Sequence, residues 1–140
     1  MSLVLDASAA LAWVFLREDP AEAQYARAIL YRLSHDTALV PGLWHLEVLN
    51  ALVTAQRRGV ITTAKASDFL NRLDDLPIQT HSYYVAARKE QLFGLAREHG
   101  LRAYDATYLD LAMRTGSSLA TFDRKLAEAA ETAGVSLTAV

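Results

Sequence analysis

The chain has no cysteine, which excludes disulfides and thiolate metal centres and suits a reducing cytoplasm. Its four histidines, at 35, 45, 81 and 99, show no zinc-like pairing. No apolar run is long enough to span a bilayer. The opening Met1-Ser2-Leu3-Val4-Leu5-Asp6 lacks a basic leader and meets an acid too early for a signal peptide. Neither sign of charge dominates: Lys and Arg number 14 against 16 Asp and Glu, for a net charge of −2. Overall charge therefore makes no case for nucleic-acid binding, although basic residues can still cluster on one face. Internal repeats, low-complexity segments and interdomain linkers are also absent. The expectation is a cytoplasmic protein with no membrane association.

Hydrophobic residues make up 52% of the 140 positions, enough to bury a sizeable core in a single domain spanning 1–140. Leu3-Val4-Leu5 reads as a strand buried on both faces, followed by a mostly buried helix over 7–16. Asp19-Pro20 opens a second, amphipathic helix, with an acid cap before proline. Ala38-Leu39-Val40 is a strand stopped by Pro41-Gly42, and a long helix runs over 43–58. Further helices are expected over 62–73 and 82–98, with a weak strand at 77–80 between them. After a helix from Ala106 to Met113, residues 118–121 read as a strand, 125–133 as a helix and 135–140 as a last strand. Such alternation indicates an α/β fold, with a parallel sheet between layers of helices.

Four acids hold positions worth attention. Asp6 follows the first strand, and Asp123 follows the 118–121 strand in the same manner. Sites in open α/β sheets lie outside the carboxyl ends of strands. Asp105 falls in the first turn of its helix. Glu47 shares a narrow polar or small stripe with Leu43, Asn50, Ala51 and Thr54. Taken alone, Asp105 reads first as a first-turn or capping acid, Asp6 equally well as a helix cap, and Glu47 equally well as part of a solvated face. Brought together, they would form a site for a hard cation such as Mg²⁺ or Mn²⁺. Asp110 lies about 140° round the helix from Asp105 and is left out.

Val4-Leu5-Asp6-Ala7-Ser8-Ala9-Ala10-Leu11 and the run from Leu43 to Leu52 resemble the opening of PIN-domain proteins. The likeness continues through Tyr104-Asp105-Ala106-Thr107-Tyr108-Leu109-Asp110-Leu111-Ala112 and Leu119-Ala120-Thr121-Phe122-Asp123-Arg124-Lys125-Leu126. Within that family the chain is most similar to VapC toxins of bacterial toxin–antitoxin pairs. The resemblance implies a five-stranded parallel sheet flanked by helices and a Mg²⁺- or Mn²⁺-dependent endoribonuclease. It makes Asp6, Glu47, Asp105 and Asp123 the metal-binding acids, with Ser8, Asn50 and Thr121 as supporting polar residues. It also implies homodimers and a cognate VapB-like antitoxin.

A carboxylate-held cation would suit phosphodiester hydrolysis, by activating water and relieving charge on the phosphoryl oxygens. Arg17, Arg102, Arg124 and Lys125 lie near these elements in sequence and could meet RNA phosphates. Two rival readings remain open. A receiver-like phosphoacceptor also uses strand-end acids and Mg²⁺, but it would want paired acids where Asp6 stands between Leu5 and Ala7. A catalytically silent PIN-like module would have little reason to keep four mutually repelling carboxylates. The succession Trp13-Val14-Phe15-Leu16 exceeds what one buried face needs and adds to the expectation of a dimer. An antitoxin is expected to deliver an arginine to the acids while its apolar part lies against the second helix.

Overall fold

Four parallel strands form the centre of the computed structural model, which describes residues 1–82 and 85–140. They are β1 (Ser2–Leu5), β2 (Thr37–Pro41), β3 (Ile78–His81) and β4 (Ser118–Ala120), in the order β3-β2-β1-β4. Leu3, Val4, Leu5, Ala38, Val40, Leu119 and Ala120 are completely buried, as strands covered on both faces must be. The helices are α1 (Ala7–Leu11), α2 (Pro20–Arg32), α3 (Leu43–Arg57), α4 (Thr63–Asp74), α5 (Lys89–His99), α6 (Ala103–Thr115) and α7 (Arg124–Thr132). With right-handed crossovers, strand order puts the helices before β2 and β3 on one face and α5 and α6 on the other. From β1 the chain first builds outward through β2 and β3, then returns to place β4 on the opposite side. The strand order thus reverses beside β1. Ligand sites of open α/β sheets lie at such a reversal, here outside the carboxyl ends of β1 and β4.

Three expectations are corrected. The fifth strand is reduced to one bridge, between Leu119 and Leu137. With β4 only three residues long, little edge is left for the tail to extend. Its carbonyls turn instead to α2: Tyr25 donates to Thr138 O and Arg32 to Ala139 O. The first helix stops at Leu11 rather than running to 16. Consecutive bulky residues cannot all reach the core from one helical face, so the chain continues in turns. Trp13, Val14 and Phe15 then pack inward, and the Trp13 indole donates to Ala26 O. Leu16 alone of that run is exposed, so the run itself gives little surface for a dimer.

The helix expected over 82–98 is divided into a 3₁₀ turn (Val85–Arg88) and α5. Tyr83 and Tyr84, within that expected helix, lie outside the described residues. At the junction Arg88 grips Asp110 of α6 through two bonds, of 2.8 and 2.6 Å. Arg114 adds a third at 3.0 Å. Asp110 is therefore a buried anchor between α6 and the 3₁₀ turn, in keeping with its exclusion from the acid set.

Candidate active site

Asp6 ends β1 and begins the turn into α1, and its backbone N–H donates to Ala120 O at the end of β4. That bond fixes the carboxyl ends of the two strands together. The Asp6 side chain is buried, and its Oδ2 accepts hydrogen bonds from Ser8 (2.7 Å) and Thr121 (2.6 Å). Ser8 Oγ in turn accepts from the Phe122 N–H, and Thr121 Oγ1 from the Asp123 N–H. Two hydroxyls thus lock the Asp6 carboxylate to the loop that carries Asp123. Ser8 and Thr121, expected as supporting residues, do contact an acid.

The other acids arrive from helices. Asp105 is buried in the first turn of α6, where Arg102 Nε donates to its Oδ2 at 3.2 Å. Glu47 is half-buried on α3, and its Oε1 accepts from the Tyr108 hydroxyl. Asp123 caps α7, its Oδ1 accepting from Leu126 N–H. The bland reading of Asp123 as a helix cap is therefore correct as far as that oxygen goes. Asn50 is exposed and makes no side-chain hydrogen bond among the described residues.

Electrostatics tie the four acids into one neighbourhood. Burial raises the Asp6 pKa, against the pull of Thr121 and Ser8, while the charges of Asp105 and Asp123 push it higher. Burial likewise raises that of Glu47; Tyr108 opposes this, and Asp6 and Asp105 reinforce it. Carboxylates that repel one another in a partly dry crevice favour a shared cation. The donor set is all oxygen, which fits Mg²⁺ or Mn²⁺. Each acid also commits one oxygen to a protein hydrogen bond and keeps the other without one among the described residues: Asp6 Oδ1, Glu47 Oε2, Asp105 Oδ1 and Asp123 Oδ2. Among the described residues, no three of them are arranged as an ion-holding group.

Sequence reasoning gave no role to Tyr108, although it stands one turn beyond Asp105 on nearly the same helical face. That spacing was the available signal. The fold turns it into a contact, by setting Glu47 of α3 within hydrogen-bond reach of the Tyr108 hydroxyl.

Residues 3–132 match the PIN domain family. A ribonuclease VapC3 of Pyrobaculum aerophilum is 38% identical over 130 residues, covering 91% of this chain and 94% of the relative. One of the same name from Mycobacterium tuberculosis is 34% identical over 103 residues, covering 73% and 72%. Among solved structures, PAE2754 from Pyrobaculum aerophilum superposes with a TM-score of 0.66 at 28% identity, over 92% of this chain and 79% of that one. VapBC2 from Rickettsia felis, bound to a promoter DNA fragment, gives a TM-score of 0.68 over 99% and 98% of the two chains. At 10% identity that second likeness speaks for the fold alone. A parallel sheet with acids gathered at its switch point, matched over nearly the whole length, makes this chain a member of the PIN-domain family and, within it, a relative of the VapC ribonucleases.

Proposed function

We propose that this chain is a divalent-cation-dependent endoribonuclease, acting in the cytoplasm as the toxin of a toxin–antitoxin pair. The observation that carries this reading is the set of four interacting carboxylates at the sheet's switch point, each with one oxygen outside any protein hydrogen bond among the described residues. The relatives named as VapC ribonucleases support the substrate class. Mg²⁺ or Mn²⁺ held by Asp6, Glu47, Asp105 and Asp123 would supply Lewis acidity toward water and the phosphoryl oxygens. The chain's own residues provide the frame. Ser8 and Thr121 fix Asp6, Tyr108 fixes Glu47, and the first turn of α6 presents Asp105. Asn50 fits as a polar neighbour of the substrate, since it is exposed one turn beyond Glu47. Exposed Arg124 and Lys125 at the start of α7 are suited to RNA phosphates.

The reading extends to partners. A cavity of about 130 Å³ between α2 and the residues after α1, lined by Trp13, Leu16, Ala26 and Leu30 together with Arg17 and Arg27, suits the apolar part of an antitoxin. A homodimer fits the exposed Leu46, Leu49 and Val53 on α3. No helix among the described residues is long and apolar enough to cross a membrane. The receiver-like reading gives way to the PIN family match.

Incubation with defined RNAs, with and without Mg²⁺ or Mn²⁺, and mapping of the cut ends tests the proposal. Cleavage should require the cation and vanish in Asp6→Asn and Asp105→Asn, while both variants stay folded. Cation should also raise the melting temperature of the wild type, by the linkage expected of a ligand that binds only the folded state. Cleavage retained in both variants, after exclusion of contaminating nuclease, would overturn the assignment. An inert wild type would favour a silent, binding-only module.

A further inference from the structure

Two aspartates of α6 are held by arginines, and they are held differently. Arg88 holds the buried Asp110 with a two-nitrogen fork, at 2.8 and 2.6 Å, and Arg114 closes the same carboxylate from the other side. Arg102 touches Asp105 through Nε alone, at 3.2 Å. Its side chain is 68% exposed, whereas that of Asp105 is 12% exposed. Arg102 is the N-cap residue of α6, a place where its all-donor side chain has no helix N–H to serve. Among the described residues its terminal nitrogens, Nη1 and Nη2, donate to nothing. The guanidinium therefore rests beside the acids by charge and over the Tyr104 ring, 5.9 Å from its centre, without the geometry of a structural clamp.

Its charge acts on more than one acid. Asp105, Glu47 and Asp123 all favour the charged form of Arg102, and Arg102 in turn eases the ionisation of Glu47. A guanidinium in that place neutralises part of the same negative field that a divalent cation would neutralise, so the two cannot add freely.

Resting on the nuclease reading, we propose that Arg102 is the resident counter-charge of the acid cluster and turns to a phosphate of the RNA substrate when a divalent cation takes Asp105. The exposed, single-bonded side chain can swing without disturbing α6. Its two unpartnered terminal nitrogens form the planar fork that matches phosphate oxygens. Loss of Arg102 then has opposite effects on the two ligands: the cation binds more tightly and the RNA more weakly.

The test measures Mn²⁺ binding directly, by electron paramagnetic resonance of free Mn²⁺ in the absence of RNA, alongside steady-state cleavage at saturating Mn²⁺. Arg102→Ala should bind Mn²⁺ about two- to fivefold more tightly, the scale of a solvent-exposed ion pair. Its KM for RNA should rise about tenfold, the scale of a lost charge-assisted bond, with kcat changed less. Arg102→Lys, which keeps the charge but not the fork, should restore wild-type Mn²⁺ affinity and only part of the KM. Arg102→Gln replaces the alanine variant if the latter does not fold. Arg72→Ala, removing an exposed arginine of α4 that pairs with Asp68, should alter neither quantity. Unchanged or weaker Mn²⁺ binding in Arg102→Ala, or an unchanged KM, overturns the exchange while leaving the nuclease assignment standing. A wild type that binds no Mn²⁺ overturns both.

Discussion

The Tyr108 hydroxyl donates a 2.5 Å hydrogen bond to Glu47 Oε1, joining α6 to α3 at the acid cluster. Tyr108 is completely buried, and burial together with the Glu47 carboxylate drives its pKa far above the ordinary value. The phenol therefore stays protonated, as a donor, across the neutral range. A buried donor aimed at a half-buried carboxylate does two things. It stabilises the helix pair, and it restricts where Glu47 can point.

Tyr108→Phe should lower folding stability by about 1–2 kcal/mol, the lower range for a bond to a charged group, because Glu47 can regain water at its exposed side. Urea unfolding without divalent cation measures this. A variant as stable as the wild type would show that the bond contributes nothing net.

The pH dependence of the cation-free chain should carry the mark of Asp6. Its folded pKa is raised above the ordinary 3.8, chiefly by burial, so the folded protein binds this proton more tightly than the unfolded chain does. The ionised carboxylate thus costs stability above the folded pKa, and that cost fades as pH falls through the folded pKa toward 3.8. Asp6→Asn should therefore be more stable than wild type at neutral pH, with the gain shrinking on acidification. Urea unfolding of both proteins across the acidic range checks the trend. A gain that is constant with pH would contradict it.

Asp110 behaves in the opposite sense. Burial alone would raise its pKa, but Arg88 and Arg114 outweigh burial and hold it below the ordinary value. Its contribution is thus full above the unfolded pKa and is lost as pH falls through the lower, folded one. Asp110→Asn should cost about 2–4 kcal/mol at neutral pH, since two part-buried arginines lose their shared partner. Mn²⁺ binding by the folded fraction should be unchanged, because Asp110 anchors α6 and holds no cation. Weakened Mn²⁺ binding in a folded variant would place Asp110 in the site after all.

Sequence alone determined the alternation of elements, because burial on both faces requires continuous apolar runs such as Leu3-Val4-Leu5, and helix faces require a 3.6-residue period. It also determined that Asp6 and Asp123 follow strands, since strand ends are local features. Tertiary structure decided what lies beyond local reach. The 135–140 segment alternates like a strand, yet a three-residue β4 and the pull of Tyr25 and Arg32 on its carbonyls leave it a single bridge. The 7–16 run has helical composition, yet Trp13, Val14 and Phe15 reach the core only if the helix ends at Leu11. Helical angle separates Asp105 from Asp110, but it does not name their partners. Which one faces other acids and which one faces two arginines depends on the elements packed against α6, up to 61 residues away in the case of Glu47 and Tyr108. Residue type and period are properties of a segment, whereas the partner of a charge is a property of the whole fold.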